Sequence, residues 1–519
     1  MATFPEIHAA AFSPSASVRR AKIGPTTRIL VAAVVVPLLP LLVWWIGTKS
    51  LLYQHGWFNL EYVGLLCIGI LWPSWWTAAL LTTEICIALI QPIARLYYFH
   101  SSDVLLSLRY LHLLPAHRLF EYGLVLFSCA LVCAISLRWA LGEERSPIAG
   151  KAVAVIFVCT GAAIASSFTF NGHALEPRWR ESDERTGRIL SVPLISLIDS
   201  VRSYGHDSQS GPGRVPLSSS LALAMRQLPQ DAKPNIVLVL TESWGLAQDD
   251  RINRAEQQPY DDPRIGALYR EITGAVPFDG ATTSGETRAL CGDAEGIASI
   301  SEPASYFANC WPERMNHRGY RTVAVHGFTP TMYQRERWYS RFGFSDAVFQ
   351  PQLQQSGAAM CDGAFPGICD ASVAQWIGQH LISSAQDRPV FVHWVTLGSH
   401  LPVPPEAAPA DLEACRQISI VDDNALCSWF NLVQKLHQSV AKLALMSISK
   451  PTVFIIVGDH APPFLNAATR SRFSQTSVPY VILMPRVLDV KPDLRVLHAA
   501  NEGGPSPVAM RKRRHHTEP

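Results

Sequence analysis

The chain has 519 residues, which is enough for about three average domains. Its 44 basic and 42 acidic residues give a formal charge of +2, so it lacks the basic excess typical of nucleic-acid-binding proteins. Charged residues make up only 17% of the chain, and the mean hydropathy is +0.12. Because nearly all long apolar runs precede Phe170, the sequence predicts a membrane-anchored protein with a sizeable soluble domain.

The apolar part is expected to form five membrane spans, each of which needs about 20 mostly apolar residues. Ile29–Gly47 is the first, and its late start and bulky end argue against a cleavable signal. Phe58–Ala94 is too long for one span and is interrupted at Trp72–Trp76, so we predict a helical hairpin there. Phe120–Leu141 and Ala152–Phe170 complete the set.

Lysine and arginine residues beside the spans predict their orientation, because these residues accumulate on the cytoplasmic side. With the N-terminus inside, seven lie in the inner flanks and four in the outer loops: Arg19, Arg20, Lys22, Arg28, Arg138, Arg145 and Lys151, against Lys49, Arg95, Arg109 and Arg118. An odd number of spans then places the C-terminal domain outside. The amphipathic segment Asp103–Leu114 is expected to lie along the outer interface. If this segment were instead a sixth short span, the C-terminal domain would lie in the cytoplasm.

The 11 cysteines support an extracytoplasmic domain. Five lie in apolar stretches, where a thiol behaves as a small hydrophobe. The other six are Cys291, Cys310, Cys361, Cys369, Cys415 and Cys427. An even number suits three disulfides in an oxidising compartment, and pairing of sequence neighbours is one of about 15 arrangements.

The pattern changes at Pro234, where short and wholly apolar runs begin to alternate with helix-length segments. Such runs predict strands buried on both faces, and therefore an α/β fold with a mainly parallel sheet. They are Asn235–Leu240, Arg321–Val325, Val390–Thr396, Thr452–Val457 and Val478–Met484. The expected organisation is a cytoplasmic segment (1–28), a transmembrane domain (29–170), a linker (171–233), the α/β domain (234–490) and a basic tail (491–519).

Polar side chains follow four of these runs, at the strand ends where α/β folds bind ligands. Glu242 follows the first, His326 the second, His400 the third, and the pair Asp459-His460 the fourth. Carboxylates and imidazoles that converge without thiolates suit a divalent ion such as Zn²⁺ or Mn²⁺. The sequence therefore predicts a metal site at this edge of the sheet.

A nucleophile is expected in Ala281–Gly292, which we predict to be a hydroxyl-rich loop punctuated by glycine. Its candidate hydroxyls are those of Thr282, Thr283, Ser284 and Thr287. The alternative is an ordinary polar loop.

In this order, the motifs resemble the lipoteichoic acid synthase branch of the alkaline phosphatase/sulfatase superfamily, which also includes phosphoethanolamine transferases. They are Thr241-Glu242-Ser243, Gly285-Glu286-Thr287, His326-Gly327 with Tyr333-Gln334-Arg335 and Tyr339, Thr396–Pro402, and Gly458-Asp459-His460. The resemblance implies five N-terminal transmembrane helices followed by a sulfatase-like α/β sandwich domain.

The resemblance also implies roles for the site residues. One divalent metal ion, Mn²⁺ or Zn²⁺ with Mg²⁺ as a further option, would be held by Glu242, Thr287, Asp459 and His460. Thr287 would be the nucleophile that becomes a phosphothreonine, and His400 would pass a proton to the leaving oxygen. The headgroup pocket would be lined by His326, Tyr333, Arg335 and His400.

Two departures from the synthases narrow the expected function. Tyr333 stands where they typically have tryptophan, and their Gram-positive members lack the six cysteines, which suggests a Gram-negative periplasm. We therefore expect a multi-pass inner-membrane transferase with its catalytic domain in the periplasm. It would move a phosphoglycerol or phosphoethanolamine headgroup from a phospholipid donor to a periplasmic or cell-surface glycan, with no nucleic-acid partner.

Three alternatives use the same domain differently. A phosphodiesterase would let water reach the phosphothreonine, and a binding domain would keep only a relict site. A sulfatase would convert Cys310 of the CxPxR pattern Cys310–Arg314 into formylglycine. That cysteine is far from the first strand and is a disulfide candidate, which argues against the third alternative.

Overall fold

The computed structural model describes residues 58–99, 104, 107–113, 116–141, 148–169, 190–191, 194–195, 197–198, 219–292, 304–383, 388–403 and 411–489, together with Trp45. Internal contacts divide the chain into two compact units. The first is Met1–Arg95 with Pro115–Arg202, and the second is Leu96–Leu114 with Ser203–Pro519. The predicted first span, most of the linker and the basic tail lie outside the described residues.

Apolar helices dominate the described part of the first unit. They are α1 (Leu60–Leu71), α2 (Trp75–Leu96), α3 (Ala116–Leu141) and α4 (Ala149–Thr169), and the short strands β1 (Phe58–Asn59) and β2 (Leu190–Ser191) pair in parallel. Helices thus occupy the predicted hairpin and the last two predicted spans. Two stretches, Trp75–Leu96 and Leu119–Leu141, are long and apolar enough to cross a membrane. Crossing by five helices stays a prediction.

The second unit is an α/β domain. Its strands are β3 (Asn235–Thr241), β4 (Tyr269–Pro277), β5 (Arg321–His326), β6 (Asp346–Val348), β7 (Met360–Cys361), β8 (Gly367–Ile368), β9 (Val390–Val395), β10 (Thr452–Gly458) and β11 (Ser477–Pro485). Its helices are α5 (Ser220–Gln227), α6 (Asp250–Gln257), α7 (Pro263–Leu268), α8 (Thr282–Cys291), α9 (Trp311–His317), α10 (Arg335–Arg341), α11 (Gln350–Gln355), α12 (Asp370–Ser383), α13 (Leu412–Gln417), α14 (Asn424–Ala444) and α15 (Ala467–Arg470). Short 3-10 helices cover Leu108–Leu113, Gln258–Asp261, Ala304–Asn309, Met332–Gln334 and Arg486–Leu488.

Seven strands form one mixed sheet in the order β4-β11-β10-β3-β9-β5-β6. All five predicted strands are present, and β3, β9 and β10 are buried along their whole length, as continuous apolar runs predict. The expected parallel arrangement holds from β10 to β6, but β11 runs antiparallel to both neighbours. The sequence also missed β4, because this edge strand is half-exposed and polar.

The three expected disulfides join sequence neighbours: Cys291–Cys310, Cys361–Cys369 and Cys415–Cys427. The first links the end of α8 to the start of α9, and the second closes the β7–β8 hairpin. The third joins α13 to α14. All three therefore tie down elements that pack around the sheet.

Candidate metal centre and nucleophile

Strand register places two carboxylates side by side at the carboxyl edge of the sheet. Gly458 of β10 pairs with Thr241 of β3, so Asp459 and Glu242 are the next residues of adjacent parallel strands. A Cβ on Gly458 would lie 1.9 Å from the carbonyl oxygen of Trp244, so only glycine fits where the chain after β3 crosses β10. The neighbouring carboxylates therefore follow from the register and from this close approach.

Glu242, Asp459 and His460 form a buried group, here called the carboxylate–histidine cluster, whose potential ligand atoms all lie within 4.8 Å of one another. His460 Nε2 lies 3.6 Å from Glu242 Oε1 and 3.4 Å from Asp459 Oδ2. Its Nδ1 lies 2.9 Å from the carbonyl oxygen of Ala461. Because a carbonyl oxygen can only accept, Nδ1 carries the proton and Nε2 faces the carboxylates, as in a metal-binding histidine.

The electrostatics of the cluster fit a bound cation. Burial and the adjacent Glu242 carboxylate raise the pKa of Asp459 well above its usual range. Burial opposes the charge on Glu242 too, but His400 and His460 hold the pKa of that carboxyl below its ordinary value. Oδ2 of Asp459 is buried without a hydrogen-bond partner among the described residues. Two adjacent carboxylates, an orphaned oxygen and an imidazole nitrogen are a suitable donor set for Zn²⁺ or Mn²⁺.

The hydroxyl that meets this cluster belongs to Thr282, the first residue of α8. It donates a hydrogen bond to Glu242 Oε2 at 3.0 Å and lies 3.5 Å from His460 Nε2. The side chain is partly exposed, so a substrate can reach it. Gly285 makes this approach possible, because even a Cβ there would lie only 3.0 Å from the Cβ of Asp459.

The structure places Thr287, the predicted nucleophile and metal ligand, elsewhere. Ala281–Gly292 contains the helix α8 where we expected a loop, and Thr287 lies about 7.5 Å further along its axis than Thr282. Thr287 is only 1% exposed, and its hydroxyl donates to the carbonyl oxygen of Ser284 at 3.2 Å. The structure therefore makes Thr282 the candidate hydroxyl beside the cluster.

A second buried group, the Glu286 cluster, consists of Glu286, Arg335, Tyr339 and His393. Arg335 Nε and Nη2 both donate to Glu286 Oε1, at 2.9 and 2.6 Å. The Tyr339 hydroxyl donates to Glu286 Oε2, and His393 Nε2 lies 3.7 Å from the same oxygen. Burial opposes the charge on Glu286, but Arg335 and His393 bring the pKa of this carboxyl down to about 2.

The predicted pocket residues are distributed around these two clusters. Most of the Arg335 fork is engaged by Glu286, and only Nη1 points to His326 Nε2, at 3.5 Å. His326 donates from Nδ1 to the carbonyl oxygen of Val395, and burial together with Arg335 lowers its pKa to about 3. The ring of Tyr333 lies 5.4 Å from the Arg335 guanidinium.

His400 lies on the loop after β9, close enough to Glu242 to affect its pKa. Its Nδ1 lies 2.7 Å from the carbonyl oxygen of Leu401. The buried Asp370 at the start of α12 accepts hydrogen bonds from the backbone amides of Leu397 and Gly398, at 3.1 and 2.8 Å. Asp370 thus anchors the loop that presents His400.

Sequence reasoning missed several supporting residues. Ser243 donates its hydroxyl to Glu242 Oε1 and its amide to Asp459 Oδ1, at 2.8 and 2.7 Å. Its place in the Thr-Glu-Ser motif was an available signal. Glu286 belongs to the motif Gly285-Glu286-Thr287, but its sequence context indicated no role for it. No local pattern marks Asp370, because its partners lie 27 and 28 residues away.

The fold and site together define a class of protein: an α/β domain with a candidate metal centre and an adjoining threonine hydroxyl at the carboxyl edge of its sheet. Residues 234–498, about half of the chain, match the Sulfatase family model. The chain therefore belongs to the sulfatase family.

Solved structures give further similarities to this domain. They include the lipoteichoic acid synthase LtaP from Listeria monocytogenes, with 14% identity over 50% of this chain and 67% of that chain and a TM-score of 0.38. The phosphoglycerol transferase GacH from Streptococcus pyogenes is 16% identical over 52% and 77%, with a TM-score of 0.32. The C-terminal periplasmic domain of EcEptC from Escherichia coli is 14% identical over 50% and 75%, with a TM-score of 0.32. No curated protein matches the chain, and its assignment rests on the family model.

Membership of this family does not make Cys310 a formylglycine precursor. Cys310 is bonded to Cys291 and is 1% exposed. Conversion requires a free thiol, so the disulfide removes the support that the CxPxR pattern gave to a sulfatase activity.

Proposed function

We propose that the protein is a membrane-anchored, metal-dependent transferase that uses Thr282 as its nucleophile. It moves a phosphoglycerol or phosphoethanolamine headgroup from a phospholipid to a periplasmic or cell-surface glycan. The observation that carries the proposal is the partly exposed Thr282 hydroxyl, which bonds to Glu242 Oε2 beside His460 Nε2. The ordered motif set and the family membership support the reaction class.

The site suits an anionic substrate at Thr282. This residue begins a ten-residue helix, and the amide groups at a helix N-terminus favour negative charge. Arg335 Nη1, the nitrogen of the guanidinium that does not bond to Glu286, points to His326 Nε2 at 3.5 Å. A phosphodiester can therefore be held with its phosphorus near the Thr282 hydroxyl.

A divalent ion held by Glu242, Asp459 and His460 would lower the pKa of a neighbouring hydroxyl and neutralise charge on the phosphoryl oxygens. The chain's own groups move the protons. Thr282 Oγ1 forms a bond to phosphorus as its proton passes to the carboxylate that accepts its hydrogen bond. The bond from phosphorus to the diacylglycerol oxygen breaks, and His400 donates the proton that this oxygen takes up.

The second half of the reaction reverses these roles. An acceptor hydroxyl attacks the phosphothreonine, and His400 accepts its proton. The bond from Thr282 Oγ1 to phosphorus breaks as the Glu242 carboxyl returns its proton to that oxygen. This two-step scheme requires donor and acceptor in turn. Among the described residues, two helices, α2 and α3, contain stretches long and apolar enough to cross a membrane. They support membrane anchoring, which keeps the site near a lipid donor. We propose a multi-pass inner-membrane protein with the sulfatase-family domain in the periplasm.

Intact mass spectrometry of the full chain in detergent micelles tests the proposal. The chain is incubated with Mn²⁺ and either phosphatidylglycerol or phosphatidylethanolamine, without an acceptor. The wild type should gain one headgroup-phosphate mass with one of the two lipids, and that lipid names the donor. Thr282→Val should abolish the adduct, because valine keeps the shape but lacks the hydroxyl.

Thr287→Val is the matched control, since it makes the same change on the same helix away from the cluster. It should still form the adduct. An adduct that persists in Thr282→Val and disappears in Thr287→Val would overturn the assignment. Absence of an adduct in the wild type with both lipids would overturn the proposed donor class.

A further inference from the structure

The segment Leu96–Leu114, here called the connector, joins α2 and α3 in sequence. Its contacts nevertheless place it in the same compact unit as the sulfatase-family domain. The helices that it joins contain the two stretches long and apolar enough to cross a membrane. Two connector tyrosines, Tyr98 and Tyr110, contact residues of the candidate site.

Tyr98 packs on the histidine of the carboxylate–histidine cluster. Its ring centroid lies 5.3 Å from that of His460, with 34° between the planes. Its hydroxyl donates to Gln475 Oε1 at 2.9 Å, and its ring also meets Phe278 edge to face at 5.1 Å. The Gln475 amide nitrogen donates to two backbone carbonyl oxygens, at 3.1 and 3.3 Å, which fixes the amide so that Oε1 faces Tyr98. The Tyr98 side chain is therefore held both by its ring contact with Phe278 and by its hydroxyl bond to Gln475.

This contact supplies a restraint that the hydrogen bonds of His460 do not. The polar contacts of His460 are made by its two ring nitrogens, Nδ1 with the carbonyl oxygen of Ala461 and Nε2 with Asp459, Glu242 and Thr282. The imidazole can still tilt about the line through these nitrogens. The Tyr98 ring limits this tilt and keeps Nε2 directed toward Glu242 and Asp459. Tyr98 itself has a left-handed backbone, with φ of 59°. Such a conformation is unfavourable for a non-glycine residue and persists where the surroundings fix it.

Tyr110 makes a corresponding contact at the other end of the connector. It is 8% exposed, and its ring meets that of Tyr333 edge to face at 5.4 Å. Tyr333 in turn lies 5.4 Å from the Arg335 guanidinium. The connector thus contacts both the candidate metal centre and the residues that approach the predicted headgroup pocket.

We propose that the connector is a functional part of the site and that Tyr98 is a positioning residue for His460. The inference rests on the proposed function, because it takes His460 to be a metal ligand. It extends that function by making metal affinity depend on a segment far from the family domain in sequence. A ring that restrains a ligand lowers the freedom that the ligand loses when the metal binds, so its removal weakens binding.

Isothermal titration of the full chain in detergent micelles with MnCl₂ tests this role. Tyr98→Leu removes the ring and should weaken Mn²⁺ binding by roughly 10- to 100-fold, the range typical of residues that orient a metal ligand. Tyr98→Phe keeps the ring and should restore most of the affinity. Tyr320→Leu is the matched control, because it removes a buried tyrosine just before β5, at the amino end of that strand and away from the carboxyl edge that holds the cluster. This variant should bind Mn²⁺ like the wild type.

Thermal melting of each variant without metal separates positioning from folding. If Tyr98→Leu is unfolded, Gln475→Ala takes its place, since it removes the hydrogen-bond partner of Tyr98 and should also weaken Mn²⁺ binding. Wild-type affinity in a folded Tyr98→Leu chain would overturn the positioning role alone. An equal loss in Tyr320→Leu would do the same. A wild-type chain that binds neither Mn²⁺ nor Zn²⁺ would overturn the proposed function and, with it, this inference.

Discussion

The α/β domain holds two buried carboxylate clusters that differ in how their charge is balanced. In the Glu286 cluster, the carboxylate receives two hydrogen bonds from Arg335 and one from Tyr339. In the carboxylate–histidine cluster, Glu242 and Asp459 lie next to each other and share one imidazole. The pKa of Glu286 falls to about 2, whereas that of Asp459 rises well above its usual range.

This difference indicates which of the two clusters is suited to bind a ligand. Burial opposes charge on both Glu286 and Asp459, so desolvation alone does not separate them. The guanidinium of Arg335 balances the charge of the Glu286 carboxylate from within the chain. The Glu286 cluster is therefore structural and positions the residues around it. In the other cluster, among the described residues, no guanidinium donates to either carboxylate, and Arg288 donates to the backbone carbonyl oxygen of Asp459 at 2.8 Å. The carboxylate oxygens of that cluster are therefore placed to take a metal ion.

The largest expected effect comes from removing the Arg335 guanidinium from the Glu286 cluster. Arg335→Met leaves Glu286 buried without its cation and should destabilise the domain by about 3–5 kcal/mol. Chemical denaturation of the full chain in detergent micelles measures this change. Arg264→Met is the control, because Arg264 forms an exposed pair with Asp262 and its loss should change stability little. A loss from Arg335→Met no larger than that of the control would contradict the comparison.

The opposite result is expected in the carboxylate–histidine cluster. Asp459→Asn removes the repulsion with Glu242 and should raise the melting temperature without metal, while it weakens Mn²⁺ binding by roughly 10- to 100-fold. Calorimetry measures both quantities on one sample. Asp249→Asn, at an exposed carboxylate paired with Arg251, should leave Mn²⁺ binding unchanged. A variant that is less stable and binds Mn²⁺ normally would show that Asp459 is structural.

A smaller effect is expected from Tyr339→Phe, which removes one of the hydrogen bonds to Glu286. Hydrogen bonds to a charged group contribute about 1.5–3 kcal/mol, and the remaining partners of Glu286 place this variant near the lower end. Denaturation midpoints measure the change. Tyr320→Phe serves as a control, because the Tyr320 hydroxyl has no hydrogen-bond partner among the described residues. Equal midpoints for the two variants would show that the Tyr339 hydroxyl does not stabilise the Glu286 cluster.

The smallest effect is a component of the pH dependence of stability. The pKa of Glu286 falls from an ordinary 4.5 to about 2 in the folded chain, so the stability that its charge contributes is present above pH 4.5 and is lost as the pH falls toward 2. Between pH 4.5 and 3.5 the loss should be about 1 kcal/mol. Denaturation at both pH values, for the wild type and Glu286→Gln, isolates this component. Identical pH slopes for the two chains would rule it out.

Sequence reasoning found the sheet edge because each buried strand leaves a readable apolar run and ends in a polar residue. Glu242, His326, Asp459 and His460 all lie where their strand ends predict. Five strands and three disulfides were found in the same local way. These features depend on patterns within a few residues, and such patterns can be recognised without knowledge of the tertiary structure.

The choice among the hydroxyls of Ala281–Gly292 could not be made in this way. Which side of α8 faces the cluster depends on where the helix begins, and Ala281 gives no side-chain cap that would mark that start. The role of Tyr98 was equally hidden, because Tyr98 and Gln475 are 377 residues apart. The balance between Glu286 and Arg335 depends on a contact across 49 residues, which no local pattern reveals.

Anomalous diffraction from crystals of the full chain grown with Mn²⁺ tests the central claim most directly, because it compares the two clusters in one experiment. We predict one manganese peak bounded by Glu242, Asp459 and His460, beside the Thr282 hydroxyl, and none within hydrogen-bonding distance of Glu286. A peak at Glu286, or none at the carboxylate–histidine cluster, would contradict the claim that the metal binds to the cluster whose carboxylates accept no hydrogen bond from a guanidinium among the described residues.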